Sequence, residues 1–127
     1  RSGHSFPTRR SSDLNVSLGK GPAISLYSFH GRGNLNGIIP HPALVKLFEE
    51  TANQNSIPLQ KSVHIGALTD LSYVQLVGKG VASIDVGFPI RYSHSSLEVC
   101  DLNDLILLTT LLEEVIKNID KNFSLER

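Results

Sequence analysis

Gly19-Lys20-Gly21-Pro22-Ala23-Ile24-Ser25-Leu26-Tyr27 sets the fold class, because a turn-rich opening runs straight into a β-prone stretch. Two glycines and a proline punctuate the chain, and Ala23 to Tyr27 then reads as a strand. Downstream, Ser28 to Pro40, with Gly31, Gly33 and Gly37, reads as a loop. Pro42 suits the first turn of a helix, where its missing amide donor costs nothing. Leu44, Leu47, Phe48 and Thr51 or Ala52 extend that helix to about Asn55 with one buried face, while Glu49, Glu50, Asn53 and Gln54 fill much of the other. Pro58 ends it, and Leu59 to Ile65 reads as a second strand. Leu71 to Val77 is a short helix closed by Gly78 and Gly80. Val81 to Phe88 is the strongest strand, ended by Pro89. After a polar turn, Arg91 to Ser96, Asp101 is placed to cap a terminal helix with Asp104 in its first turn, where the helix dipole favours both. Leu102, Leu105, Ile106, Thr109, Leu112, Val115, Ile116 and Ile119 trace one apolar stripe along it, opposite Glu113, Glu114, Lys117 and Asn118. Strands alternating with helices predict an α/β architecture, a sheet covered by helices.

The 127 residues fit one domain or a piece of one. Twelve basic and twelve acidic residues give no net charge, and the basic ones are scattered, so neither nucleic acid nor an anionic membrane is indicated as a partner. The longest apolar stretch lies within Leu105 to Leu112, far short of the ~20 residues that span a bilayer. A single cysteine, Cys100, cannot close an internal disulfide, which favours a reduced, cytoplasmic setting.

The first residues need separate treatment. His4-Ser5-Phe6-Pro7-Thr8-Arg9-Arg10-Ser11-Ser12-Asp13-Leu14 looks like one translated frame of a common short-read sequencing adapter. A targeting peptide would need an apolar core after its positive charges, and Ser11-Ser12-Asp13 is the opposite. Residues 1–14 are therefore set aside as a non-native leader, and residues 15–127 are taken as the native segment. The absence of methionine agrees with a reading frame opened upstream. Three arginines and one aspartate leave with the leader, so the native segment carries nine basic and eleven acidic residues, a formal charge of −2.

Chemistry concentrates in Phe88-Pro89-Ile90-Arg91-Tyr92-Ser93-His94-Ser95-Ser96-Leu97-Glu98, where a histidine follows the end of a strand. Ligands of open α/β sheets collect outside such ends. An imidazole there can offer a neutral nitrogen to a divalent metal; the bland alternative is a surface histidine bonded to nearby backbone.

Gly19-Lys20-Gly21-Pro22-Ala23-Ile24, then Thr69-Asp70, then Arg91-Tyr92-Ser93-His94-Ser95 with Glu98-Val99, resemble in content and order the motifs of M42 aminopeptidases. That family shows a Gly-Lys-Gly-Pro strand opening, a Gly-Gly-Thr-Asp-Ala loop and an Arg-Tyr-x-His-Ser-x-x-Glu metal loop. The resemblance covers Gly19 to about Ile119. It implies the C-terminal portion of a three-layer, mixed-sheet zinc-peptidase catalytic domain of the phosphorylase/hydrolase-like type. It further implies a cytoplasmic hydrolase that removes N-terminal residues from peptides with two divalent metal ions, zinc or cobalt, and that assembles as a homo-oligomer. By the same resemblance His94 is the last metal ligand, and Thr69 and Asp70 lie near the bound substrate. The family's other ligands and its general-base glutamate have no counterpart in this chain, which alone would be inactive. Thr69-Asp70 departs from the family in its flanks, Ala67-Leu68 and Leu71-Ser72, which puts the shape of the substrate pocket in doubt. The same pair could instead cap the helix that begins near Leu71.

Two further readings follow from the residues. A non-catalytic assembly or regulatory homologue could keep the fold and lose the chemistry. Glycoside cleavage lacks support, since no aromatic platform or spaced carboxylate pair is present. His30 with Gly31-Arg32-Gly33 lacks the P-loop pattern and reads as a turn. His41 and His64 have no partner at metal-ligand spacing, Cys100 reads as a packing residue, and Glu113-Glu114 as a solvated helix face.

Overall fold

The computed structural model describes residues 16–29, 37–65, 69–120 and 123–126. Its sheet is built around β1 (Ala23–Phe29), which pairs in parallel with β3 (Gln60–Ile65) and antiparallel with β2 (Gly37–Ile38) and β4 (Asp85–Gly87). The sheet is thus mixed, as the resemblance implies. A register shift between Ser25 and Tyr27 bends β1 against β3. The expected loop from Ser28 is shorter than its glycines suggest, because Ser28 and Phe29 continue β1 and pair with Ile38 and Gly37.

Helix α1 (Pro42–Gln54) begins where the proline places it. His41 caps it: its Nδ1 accepts from the Ala43 amide at 3.2 Å, and its own amide donates to the Ser83 carbonyl at 2.9 Å. Leu47, Phe48, Thr51 and Ala52 form the buried face. Leu47, Phe48 and Ala52 meet Ile24 of β1, Ile57, and Leu111 and Val115 of α3 (Leu102–Asn118) in one core. Each of the leucine, isoleucine, valine and phenylalanine side chains contributes about 1.5–3 kcal/mol by leaving water. Asn118 ties the two helices further, donating from Nδ2 to Thr51 Oγ1 at 3.0 Å.

Helix α3 corrects the stripe read from its sequence. Asp104, Leu111 and Val115 are buried, and Asn118 turns inward to Thr51. Most of the expected stripe faces outward: Leu102 is 70% exposed, Ile106 62% and Ile116 69%. Both sides of the helix are apolar, so periodicity alone could not choose between them.

Val81 to Phe88 is the second correction, since only Asp85–Gly87 pairs as a strand. The preceding residues satisfy their backbone elsewhere. The Val81 amide donates to the Gln75 carbonyl at 3.1 Å, and the Ser83 carbonyl accepts from His41. Between β3 and β4, α2 (Leu71–Val74) is a single turn. Gln75 fastens it to β2 by donating from Nε2 to the Gly37 carbonyl at 2.5 Å. Gly78 and Gly80 follow with positive φ, as a helix stop requires.

Candidate metal-binding hairpin

After β4 and the buried Pro89, the chain forms a two-stranded ribbon, β5 (Ile90–Arg91) and β6 (Val99–Cys100), with Ile90 opposite Cys100 and Arg91 opposite Val99. Residues 92–98 form its tip and carry His94. Internal bonds hold the tip. The His94 amide donates to Glu98 Oε1 at 2.7 Å, and the Ser95 amide to the Tyr92 carbonyl at 3.1 Å. Ser95 Oγ lies 2.5 Å from the Tyr92 carbonyl and 2.8 Å from that of Leu97.

Two residues of this tip hold a backbone conformation that L side chains avoid: Tyr92 has φ 60° and His94 φ 62°. Among the described residues only Ser56 shares that feature outside glycine. Each such residue costs about 1–3 kcal/mol and persists where surroundings impose it. Here Glu98 and Ser95 impose it. The Glu98 carboxylate is spent on the His94 amide, while the His94 ring is exposed and has no hydrogen-bond partner among the described residues. A shaped loop therefore presents a free imidazole, which fits a single metal ligand. It does not make a complete site, because no group of three His, Cys, Asp or Glu among the described residues could hold a metal ion.

The sheet places this hairpin differently from the rule applied to the sequence. It leaves the carboxyl end of β4, but β4 is antiparallel to β1, and its Gly87 lies opposite Ala23. The hairpin thus stands at the end where β1 and β3 begin, not where parallel strands finish. Thr69 and Asp70 lie at the other end. β3 finishes with Ile65 opposite Phe29, and Gln75 just beyond α2 bonds to Gly37, which also pairs with Phe29. Six residue steps of β1 separate the two ends, about 20 Å at the usual strand rise. Within this chain the structure does not bring Thr69 and Asp70 to His94.

At that far end Asp70 occupies the N-cap of α2 without a side-chain capping bond. The Thr69 carbonyl accepts from the Ser72 amide at 3.1 Å and from Ser72 Oγ at 2.9 Å. Thr69 Oγ1 is buried with no hydrogen-bond partner among the described residues. The expected side-chain cap is thus replaced by bonds from Ser72.

Sequence reasoning missed two polar residues. His41 had one local signal, its position directly before the helix-initiating Pro42. Asp104 had only half of one. It is fully buried, and its oxygens accept from the Gly19 amide at 2.8 Å and the Gly21 amide at 2.7 Å. Its place in the first turn of α3 was legible, but its partners lie more than eighty residues upstream.

The remaining candidates are quickly placed. Cys100 is exposed instead of packed, because the ribbon that carries it stands clear of the core. Lys117 bridges Glu114 at 2.7 Å and Glu113 at 3.2 Å on the solvent side of α3, and these hydrogen bonds, Glu114 first, raise its ammonium above the usual lysine range. His64 lies on β3, while His30 and Gly31 to Gly33 fall outside the described residues. No helix among the described residues is long and apolar enough to cross a membrane.

Comparison with known proteins adds an independent line. The sequence pattern of M42 glutamyl aminopeptidase matches residues 3–111. The aminopeptidase-like protein SgcX of Escherichia coli (strain K12) is 38% identical over 100 residues, which cover 76% of this chain and 27% of SgcX. The solved structure of an aminopeptidase from the archaeon Desulfurococcus kamchatkensis superposes with a TM-score of 0.77 at 34% identity, covering 91% of this chain and 31% of that one. The TET1 peptidase of Pyrococcus horikoshii, which assembles into a tetrahedron or a large octahedral shell, superposes with a TM-score of 0.64 at 32% identity, covering 81% and 28%. The chain therefore spans 27–31% of the length of these relatives. Motif order, mixed sheet and matched length agree: the chain belongs to the M42 glutamyl aminopeptidase family.

Proposed function

We propose that the full-length protein is a cytoplasmic, two-metal aminopeptidase in which His94 supplies one metal ligand. The observation that carries this reading is the strained tip of the hairpin, whose Glu98 and Ser95 bonds hold the His94 backbone and leave its ring free. When bound, a co-catalytic pair of divalent ions polarises the scissile carbonyl and lowers the pKa of a water into nucleophilic range. His94 would supply one nitrogen donor from the hairpin tip. Glu98 accepts from the His94 amide and so holds the backbone from which that ring projects. Zinc or cobalt suits an imidazole donor. Metal dependence is general to the family; which metal serves here belongs to this proposal.

Residues 1–14 are proposed to be a non-native leader, and residues 15–127 the C-terminal part of the catalytic domain. The other ligands and the general base then come from the upstream part of the polypeptide, so the isolated chain is inactive. Thr69 and Asp70, at the far end of β1, reach a substrate only if it extends along the sheet or lies against another copy. The Thr69 carbonyl's bonds to Ser72, and those of the Asp70 carbonyl to the Tyr73 and Val74 amides, favour a structural role. Assembly of the Pyrococcus horikoshii relative into closed shells supports a homo-oligomer of the full-length protein.

The test is cleavage of aminoacyl anilides by the full-length protein with and without a chelator, beside His94→Ala. The proposal expects chelation to abolish turnover and the variant to lose at least about a hundredfold in kcat/KM. Full activity in the variant rejects the role of His94. Chelator-resistant activity rejects the two-metal reading.

A further inference from the structure

We infer that Asp104 is the positioning residue for the hairpin that carries His94. The inference rests on the proposed metal role of His94 only for its functional consequence; the mechanical part stands by itself. The ribbon Ile90 to Cys100 is almost wholly exposed, so packing against the core does not hold it. Its two feet must do so. The first foot is β4, whose Gly87 pairs with Ala23, followed by the buried Pro89. The second is the start of α3, only one residue after β6.

That second foot is fastened by Asp104 to the residues immediately before Ala23. Its two carboxylate oxygens take the Gly19 and Gly21 amides at 2.8 and 2.7 Å. Gly19 and Gly21 have φ 74° and 89°, which turns both amides toward one anion in a small concave nest. Gln60 grips the same strap, donating to the Gly21 carbonyl at 2.7 Å and the Ser17 carbonyl at 3.0 Å. Both feet of the hairpin therefore rest on one stretch, Gly19 to Ala23, which β3 locks in place. An acidic residue in a first helical turn usually reaches back to its own cap. Asp104 instead reaches across the fold, leaving the cap to Asp101, whose Oδ1 accepts from the Asn103 amide at 2.8 Å. Loosening Asp104 frees one foot, and the hairpin that carries His94 loses its fixed position without any change in its tip.

The test uses full-length protein, His94→Ala and three further variants. Asp104→Asn replaces one acceptor with a donor facing a glycine amide. Gly19→Ala strains the strap at φ 74° and brings a Cβ to 3.1 Å from Asp101 Oδ2 at the same foot, and serves if the first variant does not fold. Val115→Ala, in the buried core near the far end of α3, controls for simple destabilisation. Hydrogen exchange of residues 90–100 in metal-free protein is read first, then the cobalt absorption spectrum and the split between kcat and KM. The inference expects about tenfold faster exchange in the hairpin for the clamp variants and not for Val115→Ala, with an altered cobalt spectrum and a fall in kcat at little change in KM. Unchanged exchange in both clamp variants, or equal acceleration in Val115→Ala, overturns it. Faster exchange with a cobalt spectrum unchanged in both Asp104→Asn and His94→Ala supports the clamp and sinks the metal role of His94.

Discussion

Replacing Gly21 by alanine tests the clamp at its tightest point. The new Cβ would overlap the Pro58 carbonyl and lie 2.9 Å from Pro58 Cγ, while Gly21 holds φ 89°. Left-handed backbone costs an L residue about 1–2 kcal/mol. Overlap with neighbouring backbone adds about 1–3 kcal/mol. Any shift that relieves it weakens the Gly21–Asp104 bond, a charge-assisted contact worth about 1.5–3 kcal/mol. These terms trade against one another, so the expected loss is about 3–6 kcal/mol, a large part of the usual ~5–15 kcal/mol of a folded protein. Gly78→Ala is the matched comparison: its φ is 62°, but a Cβ there meets nothing within 4 Å. It should lose only the backbone strain, about 1–2 kcal/mol. Urea denaturation of the full-length protein, followed by far-ultraviolet circular dichroism, compares the two. A Gly21→Ala midpoint equal to that of Gly78→Ala would refute the reasoning, because it would mean that neither Pro58 nor Asp104 constrains the strap.

Leu111→Ala, at a fully buried site facing α1, should cost about 2–5 kcal/mol in the same assay; a loss below 1 kcal/mol would show that α1 and α3 do not share a core. Residues 15–127 expressed alone should aggregate, since the outer edge of β3 is unpaired among the described residues and α3 exposes Leu102, Ile106 and Ile116. A sharp two-state melt of a monomeric sample would contradict that.

Local signals were legible wherever the chain carries its own punctuation. Gly21-Pro22 announces β1, Pro42 opens α1, and Pro58 separates it from β3, each within a residue or two of its observed place. Asp101 capped α3 as its residue type requires. Tertiary choices were not legible. The β-prone run from Val81 yields to a bond with Gln75, six residues back, and to one with His41, distant in sequence. α3 presents two apolar sides, and only contact with Thr51 and Ile24 selects the inner one. For the candidate site, His94 was visible through its motif, while its positive φ carries no sequence signal. The antiparallel course of β4 was not visible, so the separation of His94 from Thr69 and Asp70 could not be foreseen. Nor could Asp104, whose partners are set by the fold alone.

The direct measurement is an anomalous-diffraction map of the full-length protein crystallised with zinc or cobalt. A peak about 2.0–2.1 Å from a ring nitrogen of His94, with a second peak beside it, is the predicted result. Metal peaks held entirely by other residues, with the His94 ring turned away from them, would contradict it.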